Sequence, residues 1–169
     1  MTDKVVLIGF MGAGKTTVGA RMAAQLDTYQ HDLDQIIEQH LGESIQDFFA
    51  REGEAAFRTL EAQVLDRQLA ETGILSTGGG VVMTPTSRQL LQRTATPVVY
   101  LRTQPEELLR RLQGDSQRPL LKQMDREGFM ALWRYREPLY QDAADVVVDT
   151  DGLTIDQIVT LISKRLEQN

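Results

Sequence analysis

The chain contains no cysteine, so it holds no internal disulfide, which fits a protein that folds in a reducing compartment. It also lacks an apolar run close to the roughly 18–20 residues that a membrane-spanning helix needs. Its opening residues carry no cluster of basic side chains of the kind that begins a secretory signal. From these absences we expect a cytoplasmic protein that does not enter a membrane.

Positive charge is also scarce. Lys and Arg number 18 against 24 Asp and Glu, which gives a formal net charge of −6 at pH 7. Because proteins that bind duplex nucleic acid normally carry a basic face, this balance argues against a nucleic-acid partner. An anionic small molecule stays possible where positive side chains gather locally. The 169 residues, 41% of them hydrophobic, suit one globular domain over 1–169.

Three glycines lie in a short segment with a recognisable pattern. This segment is Gly-Phe-Met-Gly-Ala-Gly-Lys-Thr at 9–16, and it directly follows the apolar run at 5–8. The stretch matches the pattern G-x-x-x-x-G-K-[ST]. Glycines let the backbone turn with its N–H groups inward, where, with the N-terminus of the next helix, they cradle phosphate oxygens. The pattern predicts a nucleoside triphosphate with Mg²⁺ as ligand. The alternative is a glycine turn that merely joins a strand to a helix.

Three side chains of this loop have predicted roles. Lys15 reaches the outer phosphates, and Thr16 places its hydroxyl on Mg²⁺. Thr17 is placed to contact an inner phosphate.

Apolar, β-branched runs alternate with longer segments of helical period along the chain. We expect strands at 5–8, 28–32, 74–76, 97–101 and 146–148. We expect helices at 15–26, 34–41, 45–51, 53–71, 86–93, 105–112, 125–141 and 154–167, with Ser44 and Thr154 as caps. This alternation predicts an α/β fold in which helices cover both faces of a parallel sheet.

Two carboxylates, Asp32 and Asp34, follow the weak strand at 28–32. In folds with a phosphate cradle, a carboxylate at the end of a neighbouring strand helps to hold the metal. If the segment is extended, both side chains point to one side with Leu33 opposite. One carboxylate could then hold the water shell of Mg²⁺ and the other a hydroxyl of the phosphate acceptor. Alternatively, Asp34 caps a helix that begins near residue 35.

Positive side chains occur where an anionic acceptor would need them, at Arg58, Arg134 and Arg136. A guanidinium binds a carboxylate through two parallel hydrogen bonds, which gives orientation as well as energy. Taken singly, each arginine fits a solvated helix face. The run Ser-Thr-Gly-Gly-Gly at 76–80 closes the strand at 74–76, at the edge where open α/β sheets bind ligands. Its glycines would let a substrate approach the backbone, although a plain flexible turn also uses glycine.

The segment Gly-Asp-Ser-Gln-Arg-Pro-Leu-Leu-Lys at 114–122 interrupts the helical pattern with glycine and proline. It carries two cations, Arg118 and Lys122, among small polar groups. This composition predicts a mobile flap. An ordinary surface loop is the alternative.

Taken in order, these motifs resemble those of the shikimate kinase family over nearly the whole chain. The matching segments are residues 9–19, Asp-Leu-Asp at 32–34, Phe-Arg at 57–58, Ser-Thr-Gly-Gly-Gly at 76–80, Gln-Arg-Pro-Leu at 117–120 and Tyr-Arg-Glu-Pro-Leu-Tyr at 135–140. Each segment is short, but all of them in this order at these spacings are specific. One departure is the strand at 29–31, Tyr-Gln-His, which is more polar than the family pattern.

The resemblance implies a three-layer P-loop NTPase fold, similar to that of nucleoside monophosphate kinases. It implies a central five-stranded parallel sheet, helices on both faces, a helical acceptor region at about 33–61 and a mobile lid at about 113–123. The implied reaction transfers the γ-phosphoryl group of ATP to the 3-hydroxyl of shikimate, a step of aromatic amino-acid biosynthesis. The implied cofactors are ATP and Mg²⁺, and we expect a monomer.

The resemblance also implies roles for single residues on the nucleotide side. The phosphates are held by Lys15 and the backbone of residues 12–17, namely Gly12, Ala13, Gly14, Lys15, Thr16 and Thr17. Thr16 ligates Mg²⁺, and Asp32 holds the metal's water shell. Arg118 resembles the lid arginine that covers the phosphates, and Arg111 is the implied stacking partner of adenine.

On the acceptor side, Asp34 resembles the group that binds the reacting hydroxyl. Arg58 and Arg136 resemble the pair that clamps the shikimate carboxylate, and the backbone at Gly79 and Gly80 adds contacts. Phe49 and Phe57 either wall the pocket or belong to the core. In the implied chemistry Lys15, Arg118 and Mg²⁺ spread positive charge around the moving phosphoryl group, and Asp34 is the catalytic carboxylate.

Other functions remain open at this point. A gluconate kinase also binds a carboxylate, and a nucleoside monophosphate kinase shares the phosphate loop. A nucleotide-dependent switch is a different class, but the chain has no Asn-Lys-x-Asp guanine motif, and a pure binder needs no second anion site. The ordered motifs favour shikimate as the acceptor.

Overall fold

The computed structural model describes residues 3–113 and 124–168. At its centre is a parallel five-stranded sheet in the order β2-β3-β1-β4-β5. The strands are β1 (Lys4–Ile8), β2 (Gln30–Asp32), β3 (Gly73–Ser76), β4 (Val98–Arg102) and β5 (Val146–Asp149). In the central strand β1, the side chains from Val5 to Ile8 are at most 1% exposed. An apolar strand buried on both faces is typical of such sheets, and the predicted sheet is confirmed.

Helices connect the strands at the places that the sequence predicts. In the described residues they are α1 (Lys15–Gln25), α2 (Leu33–Leu41), α3 (Ile45–Glu52), α4 (Glu54–Gln68), α5 (Pro85–Arg93), α6 (Pro105–Leu112), α7 (Arg126–Ala143) and α8 (Ile155–Glu167). The predicted caps are confirmed, because Ser44 accepts a hydrogen bond from the Asp47 N–H and Thr154 forms a capping box with Gln157. A short 3-10 helix at Val81–Met83 is not predicted, because one turn carries no readable period.

The helices form two layers around the sheet. Helix α1 packs against β3 and α8, whereas α5 packs against both α4 and α7. This arrangement confirms the predicted three-layer α/β fold. The predicted lid begins at Gln113, just after α6, and its remaining residues, 114–123, lie outside the described residues.

The acidic pair does not lie on an extended segment, and here the sequence prediction is wrong. Strand β2 ends at Asp32, and α2 begins at once at Leu33, so Asp34 stands in the first turn of a helix. The capping alternative for Asp34 is also wrong, because Asp32 is the cap and accepts a hydrogen bond from the Gln35 N–H at 3.1 Å. A carboxylate at this position pairs a helix N–H that has no carbonyl partner, and this favours helix immediately after it.

The polar side chains of β2 have partners. Gln30 Nε2 donates to the Thr16 carbonyl at 2.6 Å, and His31 Nε2 lies 3.0 Å from the Thr72 carbonyl. Because β2 is an edge strand, both polar groups are paired without deep burial. Within residues 3–113 and 124–168, no helix is long and apolar enough to cross a membrane.

Candidate active site

The loop between β1 and α1 turns tightly at the carboxyl edge of the sheet. A β-carbon added at Gly9 would lie 2.8 Å from the Leu101 carbonyl oxygen, closer than real side chains approach. Gly14, directly before α1, has a φ of +93°, which side chains other than glycine rarely adopt. The glycines therefore let the loop pass beside β4 and enter the helix. The N–H groups in the first turn of a helix have no carbonyl partner within the helix, and such a helix start is a common site for anions.

Lys15 is the first residue of α1, and its side chain turns back into this loop. Its side chain is 8% exposed, and Nζ donates to the Gly9 carbonyl at 2.6 Å and to the Phe10 carbonyl at 2.9 Å. The Ser76 hydroxyl holds the Lys15 carbonyl at 3.0 Å, and this contact ties the start of α1 to β3. A buried ammonium needs strong partners, and the loop's own carbonyls supply them. The same geometry holds the positive charge within the glycine loop at the carboxyl end of β1.

Thr16 and Asp32 come together at the start of α1, as the sequence predicts. The Thr16 hydroxyl lies 3.4 Å from Asp32 Oδ2, while Oδ1 of the same carboxylate caps α2. Mg²⁺ prefers oxygen ligands and usually takes one or two from the protein, with phosphates and waters completing its shell. A hydroxyl and a carboxylate at this spacing fit that requirement.

Asp34 faces the glycine turn that follows β3. A β-carbon added at Gly78 would lie 2.7 Å from Asp34 Oδ1 and 3.1 Å from Oδ2. Burial raises the pKa of Asp34, and the negative charge of Asp32 adds to the rise, whereas Lys15 and Arg58 oppose it. Asp34 is therefore a carboxylate whose negative charge burial disfavours, and it lies near the cations Lys15 and Arg58.

The Arg58 guanidinium lies against Gly80, the last glycine of the same turn. A β-carbon at Gly80 would lie 2.6 Å from Arg58 Nη1, and the same nitrogen donates to Glu61 Oε1 at 2.9 Å. Glu61 is 1% exposed, and burial raises its pKa although the charge of Arg58 opposes the rise. Glu61 is not among the residues predicted from the sequence. The signal for it is the spacing of three residues from Arg58 on helix α4, which brings the two side chains together.

Arg136 completes the set of side chains around the turn. Its Nη1 would lie 3.5 Å from a β-carbon added at Gly79, and its guanidinium stands over the Phe10 ring at 5.5 Å. Among the described residues, the buried Nε atoms of Arg58 and Arg136 have no hydrogen-bond partner. The Arg58 Nε lies 3.6 Å from Glu54 Oε1 in an ion pair, so the Arg136 Nε is the one of the two that retains capacity for an anionic ligand. Arg134, two residues before Arg136, is exposed on α7 and has no place in this cluster.

The other side chains predicted to belong to the site are Arg111, Phe49, Phe57 and Arg118. Arg111 donates from Nη1 to the Gly12 carbonyl at 3.1 Å and from Nε to Glu107 at 3.0 Å, so it lies directly beside the phosphate loop. Phe57 is 4% exposed and belongs to the core, whereas Phe49 is 36% exposed, with 5.8 Å between their ring centres. Arg118 lies outside the described residues, and its predicted role rests on the sequence alone.

The fold and these side chains define a class of protein. A glycine loop with an internal lysine, before a helix in a parallel sheet, is the phosphate site of P-loop proteins. Two arginines and a carboxylate also lie together around the turn at 78–80, and guanidinium groups are suited to a small anion. A phosphate site with an acceptor site beside it is the arrangement of a P-loop kinase that acts on a small anionic molecule.

Comparison with known proteins identifies the family. The family model of shikimate kinase matches residues 11–167. A shikimate kinase of Enterococcus faecalis is 40% identical over 168 residues, covering 98% of this chain and 99% of that protein. A shikimate kinase of Streptococcus gordonii is 42% identical over 160 residues, covering 93% of this chain and 96% of the relative. The chain therefore belongs to the shikimate kinase family and is an ATP-dependent kinase.

Solved structures agree with this assignment. The shikimate kinase from Acinetobacter baumannii in complex with shikimate superposes with a TM-score of 0.90 at 34% identity, covering 100% of this chain and 95% of that one. A deoxyadenosine kinase from M. mycoides with bound dATP superposes with a TM-score of 0.62 at 16% identity, which supports the fold alone.

Proposed function

We propose that this protein transfers the γ-phosphoryl group of ATP to the 3-hydroxyl of shikimate, a step of aromatic amino-acid biosynthesis. The observation that carries this proposal is the turn at 78–80, where Asp34, Arg136 and Arg58 each approach a different glycine. The turn directly follows β3, whose neighbour β1 leads into the phosphate loop. A carboxylated alcohol bound on this turn would present a hydroxyl to the nucleotide phosphates.

On the nucleotide side, we propose that the backbone of residues 12–17 and Lys15 hold the phosphates. The Lys15 ammonium would leave the loop carbonyls for phosphate oxygens, where it offsets the charge that develops in the transition state. Thr16 and Asp32 would hold Mg²⁺, which would supply positive charge to offset the negative charge of the outer phosphates. Arg111, beside the Gly12 carbonyl, is placed to meet the nucleotide on the same side.

On the acceptor side, Arg58 and Arg136 would bind the shikimate carboxylate. The Arg136 Nε, which has no hydrogen-bond partner, supports this role, since an anion would give this donor a partner. Binding at the carboxylate fixes the orientation of the ring, and this remote binding energy aligns the hydroxyl with the γ-phosphorus. The backbone of Gly79 and Gly80 can approach the ligand closely, because neither residue has a side chain.

Asp34 would accept the proton of the 3-hydroxyl. In the transfer step, the hydroxyl oxygen forms a bond to the γ-phosphorus, the bond to the β–γ bridging oxygen breaks, and ADP leaves. The raised pKa of Asp34 brings its proton affinity nearer to that of a useful general base. Asp34 thereby orients the attacking oxygen and receives its proton.

We also propose how the protein works as a whole. Both sides of the proposed site come from one chain, so a monomer suffices for activity. The net charge of −6 argues against nucleic acid as a partner. A cytoplasmic single domain over 1–169, free of membranes, fits the metabolite chemistry.

A coupled assay of ADP release tests the choice of acceptor. The purified protein is given MgATP with shikimate, gluconate or one of the nucleoside monophosphates in turn. We expect turnover with shikimate at least about a hundredfold above the others. Gluconate also carries a carboxylate for the guanidinium groups, but its open chain does not hold a hydroxyl at a fixed distance from that carboxylate, as the ring of shikimate does. Equal or faster turnover with gluconate or a nucleotide would contradict the proposal.

A further inference from the structure

Tyr140 lies on α7 one turn after Arg136, so both side chains occupy the same face of the helix. Its side chain is 1% exposed, and its ring stacks on the ring of Tyr100 in β4, with centres 4.9 Å apart and planes 24° apart. Stacked aromatic side chains in a core have little rotational freedom. The Tyr140 hydroxyl is therefore held in one place relative to the sheet.

The Tyr140 hydroxyl lies beside the glycine turn, residues 78–80. It donates a hydrogen bond to the Gly79 carbonyl, 61 residues away along the chain, and Arg136 is a hydrogen-bond partner of the same side chain. Burial raises the pKa of Tyr140 to about 12, although Arg136 and Arg58 oppose the rise. The hydroxyl keeps its proton at every pH at which the protein would work, so it remains a donor to Gly79.

We propose that Tyr140 is a positioning residue for the acceptor site, which fixes the turn at 78–80 relative to Arg136. The proposal rests on the proposed acceptor site. Three successive glycines have more conformational freedom than any other tripeptide, and this freedom must be lost when a ligand binds to the turn. One hydrogen bond to the middle glycine restricts the turn before the ligand arrives. The bond also joins the turn to the helix that carries the carboxylate-binding arginine.

Loss of this bond has a specific expected effect. In Tyr140→Phe the ring and its stacking on Tyr100 remain, and only the hydroxyl is removed. Gly79 then loses one restraint, although the backbone bonds of Gly78 and Gly80 remain, so the KM for shikimate should rise about tenfold, the scale of one buried hydrogen bond. The KM for ATP should change less than about twofold, because the Tyr140 hydroxyl bonds to Gly79, whereas the bonds of Lys15 to the Gly9 and Phe10 carbonyls stay in place.

Tyr100→Phe is the matched control. It removes a hydroxyl from the other ring of the same stack and leaves the Tyr140 hydroxyl and Gly79 in place. Initial rates are measured for both variants and the wild type with each substrate varied in turn. The rise in KM for shikimate should occur in Tyr140→Phe alone. An unchanged KM for shikimate in Tyr140→Phe, or equal changes in both variants, would overturn the proposal.

A binding measurement separates this proposal from the site assignment beneath it. The shift in melting temperature that shikimate produces is recorded for the wild type, Tyr140→Phe and Arg58→Ala, each compared with its own ligand-free value. A smaller shift in both variants supports the proposal. A smaller shift in Arg58→Ala with an unchanged shift in Tyr140→Phe overturns the role of Tyr140 alone. Unchanged shifts in both variants overturn the acceptor site and the proposal together.

Discussion

Asp34 and Gly78 approach each other so closely that a β-carbon on residue 78 would lie 2.7 Å from Asp34 Oδ1. One residue comes from the first turn of α2 and the other from the turn after β3. The absence of a side chain at Gly78 therefore gives the carboxylate its position. The turn after β3 thus lies directly against Asp34, the proposed general base.

We predict that Gly78→Ala lowers kcat with shikimate about tenfold or more, because the added methyl group displaces the Asp34 carboxylate from the attacking hydroxyl. A double-mutant cycle shows whether the effect acts through Asp34. The variant Gly78→Ala/Asp34→Asn should be no slower than Asp34→Asn alone. Full additivity of the two losses would mean that the methyl group harms a different part of the site.

We predict that Asp34→Asn folds normally and loses about 10²–10⁴-fold in kcat, the usual range for removal of a general base. The amide has the shape of the carboxylate but cannot take the proton of the hydroxyl. Initial rates at saturating ATP and shikimate give the loss directly. Native kcat together with native shikimate affinity would remove Asp34 from the reaction.

Asp34→Asn should also change the dependence of stability on pH. The pKa of Asp34 is raised in the folded protein, so folding favours its protonated form. Protonated Asp34 therefore adds to the free energy of unfolding. This contribution is fully present below the ordinary pKa of the carboxyl and is lost as the pH rises through the raised pKa of the folded protein. At neutral pH the wild type thus holds a carboxylate whose charge burial disfavours, and Asn removes this cost.

The melting temperature of Asp34→Asn should therefore exceed that of the wild type at neutral pH, and the difference should vanish in acid. The exposed Asp66 on α4 provides the control variant, Asp66→Asn. Identical pH profiles for Asp34→Asn and the wild type would mean that folding does not shift the protonation of Asp34.

We predict that Lys15→Met lowers kcat about 10²-fold or more, the scale of losing one preorganised electrostatic group. The methionine fills similar space among the loop carbonyls but brings no charge to the phosphates. Circular dichroism should confirm a native fold, and ATP binding should weaken less than turnover. A folded variant with near-native kcat would exclude the loop lysine from the mechanism.

We predict that Arg58→Ala and Arg136→Ala each weaken shikimate binding by about 2–3 kcal/mol, the range for a charge-assisted hydrogen bond. ATP binding should change little. Arg134→Ala is the matched control, because this exposed arginine lies on the same helix as Arg136. Calorimetric titration with shikimate measures all three. Unchanged affinity in both Arg58→Ala and Arg136→Ala would mean that the carboxylate binds elsewhere.

Most of the fold could be predicted from the sequence, because its elements have local signals. The run in β1 is apolar at successive positions, and the capping residues Ser44 and Thr154 mark two helix starts. The acidic pair was predicted in the wrong local structure, since Asp32 can end a strand and cap a helix at the same time. A period of two residues cannot be recognised in a strand as short as β2.

The site could be predicted only in part. Lys15, Thr16 and Asp32 belong to motifs with known spacing, and the structure brings these residues together. Tyr140 and Gly79 lie 61 residues apart, and no local pattern links a hydroxyl to a carbonyl over that distance. Such long-range pairs depend on how α7 packs against the sheet, which the residues alone do not reveal.

The central claim is that the γ-phosphoryl group of ATP moves to the 3-hydroxyl of shikimate. Phosphorus NMR of the product, with coupling to the ring protons, tests this claim most directly. After incubation of the purified protein with MgATP and shikimate, the account predicts one new phosphate ester whose phosphorus couples to the proton on carbon 3, formed in equal amount with ADP. Inorganic phosphate as the sole product, or an ester on another hydroxyl, would contradict it.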